Sequence, residues 1–296
     1  MIKDFFKQNN YEFIEDAPLV NHNTYHIKSK AKFLVFPKNI EEVIAILKFL
    51  KENNIEYIFL GNGSNVILAN NYYDKVFIKL DKLNHINIDN NIVTAEAGVS
   101  LIKLALDTAL KNLSGLEFAC AIPGLVGASV AMNAGAYNAS ISDVLISAKV
   151  LNDKLEIETF TNKDLEYEYR DSFLKKHKEY ICLEATFKLE NKDCEEILNL
   201  MSSRQERRLD TQPLSYPSAG SVFRNPPNLY AGELIEKCNL KQTNINGAEV
   251  SEKHANFIIN KDGASGNDII KLIELVKKEV KNKYGVDLIL EQEIIK

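Results

Sequence analysis

No stretch of this chain reaches the roughly 20 consecutive apolar residues that a membrane helix requires. The most apolar run, residues 118–132, is broken by Pro123 and two glycines. The opening Met1-Ile2-Lys3-Asp4-Phe5-Phe6 has no apolar core of the signal-peptide kind, so a secretory leader is not expected. Cysteine is scarce. Cys120, Cys182, Cys194 and Cys238 stand far apart with no CxxC pair, which argues against zinc or iron–sulfur and for reduced thiols in a cytoplasmic protein. His22, His26, His85, His177 and His254 have no companion cysteines or carboxylates at ligand spacing, so no metal is expected. Positive charge is also short: 36 Lys and Arg against 41 Asp and Glu give a net charge of −5, which argues against a broad nucleic-acid-binding face. There is no GxSxG elbow, no internal repeat and no low-complexity tract.

What is there is an ordinary globular composition, 45% hydrophobic and 26% charged over 296 residues, long enough for two units. After a polar N-terminal lead, residues 32–36 read as a strand, and Asn39 three residues before Glu42 predicts the start of a helix carrying Val43, Ile44, Ile46, Leu47 and Leu50. Residues 57–60 form a buried strand ending in Gly61-Asn62-Gly63-Ser64-Asn65. This is not GxGxxG, because the third glycine is missing and no helical pattern follows at once. Further strands are expected at 76–80, in hairpins at 86–88 with 92–95 and 144–151 with 155–160, and at 180–189; residues 100–113 read as helix. The charged segment 190–196 is the expected boundary. Beyond it come a helix bearing Arg204, Arg207 and Arg208, a loop over 212–226, a helix over 231–238, a strand over 255–259, a helix over 267–283 and a last strand over 287–294.

Two glycine-rich stretches stand out. Residues 115–138, GLEFACAIPGLVGASVAMNAGAYN, crowd glycine and alanine with almost no charge. Such a run suits a backbone lying against something large and flat, or equally a tightly packed core loop. The turn at 61–65 can point successive backbone N–H groups at a diphosphate, or be merely a turn.

Five motifs in order carry a resemblance: GNGSN at 61–65, IPGLVGASVAMNAGAYN at 122–138, Tyr169-Arg170-Asp171-Ser172, PSAGSVFRNP at 217–226, and GAEVSEKHANFIIN at 247–260. Together, over about residues 23–293, they resemble the UDP-N-acetylenolpyruvoylglucosamine reductase family (UDP-N-acetylmuramate dehydrogenases), flavoenzymes of peptidoglycan precursor synthesis. The short link between Tyr169-Arg170-Asp171-Ser172 and Arg204 resembles the compact second type, which lacks an inserted substrate-covering segment.

The resemblance implies an α+β fold: an FAD-binding unit of two subdomains of the PCMH type over residues 1–195, then an α+β substrate-binding domain over 196–296. It places FAD along Gly61, Asn62, Gly63, Ser64, Asn65, Ile122, Pro123, Gly124, Asn133, Gly135, Ala136 and Tyr137. The turn at 61–65 has no histidine to tether the cofactor, so binding is expected to be non-covalent. It makes Arg170 the group facing the substrate carboxylate, Ser221 the proton donor and Glu293 its acidic partner. Arg208, Arg224, Asn225 and His254 are the expected substrate contacts, with Arg204, Arg207 and Asn256 as weaker candidates. NADPH is the implied co-substrate, the partner a small nucleotide sugar, and neither nucleic acid nor membrane is expected; the expected state is a cytoplasmic monomer.

Read alone, each of these residues has an ordinary reading as well. Arg170 would be a surface arginine, Ser221 a loop serine, Glu293 a polar strand end with Glu291 as its rival, Tyr137 a core filler, and His254 with Asn256 a structural turn. Two other functions compete: an oxidase of small alcohols or sugars on the same flavin fold, and a non-catalytic nucleotide-binding module.

Overall fold

The computed structural model describes all 296 residues. They form two compact units, each built from three chain segments. The first comprises Met1–Ile14, Leu34–Gly61 and Val76–Arg207; the second comprises Glu15–Phe33, Asn62–Lys75 and Arg208–Lys296. No helix is long and apolar enough to cross a membrane.

The first unit centres on a five-stranded antiparallel sheet in the order Ile157–Thr161, Leu145–Leu151, Ile181–Lys188, Ile92–Glu96 and Ile86–Asp89. Alternation within these strands sends Val93, Ala95, Ala148, Val150, Ala185 and Phe187 into one core. The expected hairpins are present, the first turning at Asn90, which adopts φ 52 as asparagine tolerates. The helix Leu101–Ala109 starts at Ser100, whose hydroxyl accepts from Lys103 N at 3.4 Å. It ends four residues short of the expected 113, where Leu113–Ser114 turns into a short strand against Glu190–Asn191.

A smaller α/β layer lies in the same unit. Asn39 caps the helix Ile40–Glu52, accepting from Glu42 N at 2.8 Å, while Glu42 accepts from Lys38 N at 2.8 Å. Val43, Ile46, Leu47 and Leu50 form its buried stripe. Tyr57–Phe59 then pairs in parallel with residues 76–78. The N-terminal lead is structured rather than a polar tail. Residues Ile2–Gln8 form a helix whose Phe5 stacks on Phe49 at 3.8 Å between centroids, with Tyr11 edge-on at 5.6 Å.

The glycine-rich run contains a helix the sequence reading does not show, Val126–Met132. It packs on the strand Ile181–Lys188, and Gly127 explains how closely. A Cβ there would stand 2.8 Å from Ala97 Cβ and 3.2 Å from the Cys182 carbonyl oxygen. Helix and sheet meet backbone to backbone, which only glycine permits.

The second unit holds a three-stranded antiparallel sheet, Asn244–Ile245, Ala248–Val250 and Ile258–Asn260. Against it lies the helix Gly266–Tyr284, which buries Ile269, Leu272, Ile273, Val276 and Val280. Ser265 and Asp268 cap its start reciprocally, and Gly285 at φ 69 ends it. The strand expected over 255–259 is shifted to Ile258–Asn260, because residues 251–257 form a bonded turn. The last strand is Glu293–Ile295, parallel to Val66–Leu68. It is shorter than expected because the preceding residues pair with another segment, described below.

Candidate active site

In the first unit, the turn Tyr169-Arg170-Asp171-Ser172 docks on the C-terminal end of the helix Val126–Met132. Ser172 Oγ donates to the Ala131 carbonyl at 2.6 Å, and Asn133 Nδ2 donates to the Glu168 carbonyl at 2.9 Å. Arg170 sits at φ 56, a left-handed conformation costly for a long side chain, inside a turn closed by reciprocal Glu168–Asp171 backbone bonds. Its guanidinium donates to the Asn133 carbonyl at 3.3 Å and to the Gly135 carbonyl, and it lies over the Tyr169 ring at 5.1 Å. A cation is favoured here by the carbonyl-rich helix end. Arg170 thus meets the Asn133–Gly135–Ala136 stretch that the motif assigns to flavin.

Tyr137 and Asn138 both take positive φ, 56° and 59°, and turn the chain between Gly135–Ala136 and Ala139–Ser140. The Tyr137 ring is 41% exposed, so it does not fill the core. Its hydroxyl donates to the Arg204 carbonyl at 2.9 Å, and the Arg204 guanidinium lies 4.8 Å from its ring centroid. Nearby, Glu117 is buried and accepts from Ser114 Oγ at 2.5 Å and Gly115 N at 2.9 Å. Burial alone would raise its pKa, but the Ser114 hydroxyl, backbone N–H groups and the Arg204 charge hold it below the usual glutamate value. Gly124 passes its carbonyl to Leu101 N at 2.9 Å, fixing the bend after Ile122 and Pro123.

The turn at 61–65 divides between the units. On the first unit's side, the Gly61 carbonyl accepts from Lys79 Nζ at 2.7 Å, and that ammonium lies 3.3 Å from Asp81. Lys79 is 3% exposed, a buried cation bonded to the Gly61 carbonyl that no motif flags; its only signal is a lysine inside the otherwise apolar run 76–80. On the second unit's side, Gly63 is left-handed at φ 65, and a Cβ there would stand 2.3 Å from the His22 carbonyl oxygen. Thr24 N and Oγ1 hold the Gly63 carbonyl at 3.1 and 3.2 Å. The backbone N–H groups of Gly63 and Ser64 donate to nothing within the chain. Two adjacent donors without a protein acceptor, on a backbone kept bare by glycine, fit a diphosphate.

The loop bearing Ser221 and the segment bearing Glu291 and Glu293 run antiparallel in the second unit. Arg224 N donates to the Ile289 carbonyl at 2.9 Å, Phe223 bridges Leu290, and Glu291 N donates to the Val222 carbonyl at 2.8 Å. Glu293 N then donates to the Asn65 carbonyl at 2.9 Å, and Asn65 Nδ2 to the Glu291 carbonyl at 3.2 Å. The loop that carries Ser221, the Glu291–Glu293 segment and Asn65 of the turn are therefore joined by hydrogen bonds into one cluster.

Asn256 is 4% exposed and brackets the same loop: its backbone carbonyl accepts from Val222 N, and its side chain bonds both the N–H and the carbonyl of Phe223 at 3.0 and 2.8 Å. His254 Nδ1 accepts from Asn256 N at 3.2 Å, leaving Nε2 as the N–H of the neutral ring. Burial lowers its pKa, with Lys241 adding to the effect. Asn225 Oδ1 accepts from Ala231 N at 3.1 Å and so starts the helix Ala231–Lys237. Arg208 Nε donates to Gln212 at 2.6 Å, and Arg224 is half-buried. No group of three or more His, Cys, Asp or Glu is arranged to hold a metal ion.

Residues 212–295 match the C-terminal domain of UDP-N-acetylenolpyruvoylglucosamine reductase, and residues 31–161 match an FAD binding domain. The UDP-N-acetylenolpyruvoylglucosamine reductase of Bacillus velezensis is 42% identical over 283 residues, covering 95% of this chain and 93% of that protein. That of Caldicellulosiruptor bescii is 44% identical over 292 residues, covering 98% and 92%. Among solved structures, UDP-N-acetylenolpyruvylglucosamine reductase from Thermus caldophilus superposes with a TM-score of 0.82 at 29% identity, covering 97% of this chain and 99% of that one.

Proposed function

Because the chain belongs to the UDP-N-acetylenolpyruvoylglucosamine reductase family, we infer that it is an FAD-dependent oxidoreductase that reduces UDP-N-acetylglucosamine enolpyruvate to UDP-N-acetylmuramate, with NADPH as co-substrate. Bound FAD would supply the hydride chemistry that couples NADPH to the terminal carbon of the enolpyruvyl group. The chain's own groups do the rest. Gly63 and Ser64 offer N–H donors to the FAD diphosphate, with Gly61, Asn62 and Asn65 shaping that turn. Ile122, Pro123, Gly124, Asn133, Gly135, Ala136 and Tyr137 line the rest of the cofactor, which is held non-covalently.

Arg170 faces the substrate carboxylate. Its planar fork matches two oxygens and stays charged at any working pH, so it stabilises the negative charge that hydride addition drives towards that group. Ser221 Oγ gives its proton to the carbon next to the carboxylate, completing the saturated product. Glu293 stands by as its acidic partner; the loop and the segment that carry them belong to the second unit's bonded cluster. A hydroxyl suffices as the acid, because an enolate bearing a second negative charge is strongly basic. Arg208, Arg224, Asn225 and His254 engage the nucleotide-sugar part. Residues 1–195 serve FAD and 196–296 the substrate, in a cytoplasmic monomer supplying cell-wall synthesis and thereby cell shape and division.

The observation that carries the residue roles is the antiparallel track that ties the Ser221 loop to the Glu291–Glu293 segment. The test is NADPH oxidation by the yellow protein with and without UDP-N-acetylglucosamine enolpyruvate, repeated with Ser221→Ala. Substrate-dependent turnover is expected. Ser221→Ala should leave FAD reduction by NADPH intact while crippling reduction of the enolpyruvyl group; equal loss of both steps would remove Ser221 from its role.

A further inference from the structure

Gln292 lies between the two candidate acids, Glu291 and Glu293, and is 3% exposed. Its Nε2 donates to the carbonyls of Ala219 at 3.0 Å and Gly220 at 3.2 Å, and its Oε1 accepts from the Tyr25 hydroxyl at 3.0 Å. Two carbonyls can face only an NH₂, so the network itself fixes which end of the amide is which. Tyr25 is completely buried, and burial pushes its hydroxyl pKa up, so it stays a donor. Its own backbone carbonyl is held by Asn260 Nδ2 at 2.8 Å.

The two carbonyls that Gln292 holds flank Gly220. This residue adopts φ 74, and nothing lies within 4 Å of where its Cβ would be. At this glycine the loop before Ser221 could swing without a steric check from a side chain. The Gly220 carbonyl shares a rigid peptide plane with the Ser221 N–H. Pinning the Ala219 and Gly220 carbonyls together thus fixes both torsions of the glycine and, with them, the direction in which Ser221 leaves the backbone. Beyond Ser221 the chain is held again by Asn256 and Glu291.

We propose that Gln292, backed by Tyr25, is a positioning residue that sets the aim of the Ser221 hydroxyl from the same segment that carries Glu293. This rests on Ser221 being the proton donor in the reading above. A misplacement of about 1 Å can lower the rate of a positioned step by about 10²-fold. Loss of the amide should accordingly be felt in the proton-transfer step and not in flavin reduction.

The test compares wild type with full-length, FAD-loaded Gln292→Leu, Tyr25→Phe and the double variant. Flavin absorbance follows two half-reactions: reduction by NADPH, and re-oxidation by UDP-N-acetylglucosamine enolpyruvate. Gln292→Leu should slow the second by 10- to 100-fold, with an enlarged solvent deuterium isotope effect, and leave the first within about twofold. Hydrogen exchange at the Gly220 and Ser221 amides, which does not depend on activity, should accelerate in parallel. Tyr25→Phe, a milder change, should act in the same direction, and the double variant should resemble Gln292→Leu alone because both act through one network. Equal slowing of both half-reactions, or unchanged exchange at these amides, would overturn the proposal. A wild-type enzyme that lacks enolpyruvyl-dependent turnover would instead overturn the reaction assigned above, while the exchange data would still decide the pinning.

Discussion

Arg170 shows how much a single residue can be asked to hold. It occupies a left-handed backbone position, bonds the carbonyls of Asn133 and Gly135, and lies over Tyr169. Lysine would keep the charge but lose the planar fork. Arg170→Lys should therefore lower the rate of enolpyruvyl reduction by about 10²-fold, the usual scale for losing one aimed donor. A rate within threefold of wild type in steady-state turnover would show that charge alone is needed. The sequence singles out Arg170 and Ser221 as candidates because they sit in ordered motifs, and Glu293 because its place near the C-terminus matches the family spacing, with Glu291 as its rival. It did not expose Gln292 or Lys79, whose importance comes from what they touch across the fold: carbonyls have no residue signature, so a side chain that binds them leaves no trace in spacing.

At the scale of elements, strands and amphipathic helices were legible and the helix Val126–Met132 was not. Hydrophobic periodicity needs a polar face for contrast, and this helix is small-residue and mostly buried, so glycine and alanine read as a loop. The N-terminal helix was missed for the opposite reason: charged residues hid an aromatic anchor, Phe5, that pays off only once Phe49 is beside it. The close docking of Val126–Met132 gives a prediction in which two effects compete. Alanine at position 127 would gain about 1 kcal/mol of helix propensity over glycine. Its Cβ would also press to 2.8 Å from Ala97 Cβ and 3.2 Å from the Cys182 carbonyl, neither of which is a flexible side-chain end. Overpacking of this kind typically destabilises by about 1–3 kcal/mol. Gly127→Ala should thus lower the urea midpoint, and a midpoint equal to or above that of wild type would mean the helix can move off the sheet freely.

Three groups with lowered pKa values, one in the first unit and two in the second, lean the same way on the acid side. Glu117 in the first unit, and Asp268 in the second through its Ser265 and Asn246 hydrogen bonds, are held below their ordinary values. Each is more easily protonated in the unfolded chain, so its stabilisation is present above the unfolded carboxylate pKa and is lost as pH falls through the folded one. His254, buried near Lys241 and Glu236, also has a lowered pKa, and the sign is again the same. The unfolded chain binds a proton there first, so stability is full above about pH 6.5 and declines below it. The melting temperature of the protein should therefore fall on acidification in two stages, the first below about pH 6.5 and the second in the carboxylate range. His254→Gln should flatten only the first stage and Glu117→Gln only the second, because the two residues lie in different units and share no partner. Circular dichroism melts from pH 7.5 to 3.5 would read both; a His254→Gln profile parallel to wild type between pH 6.5 and 5 would mean that this histidine does not govern the first stage.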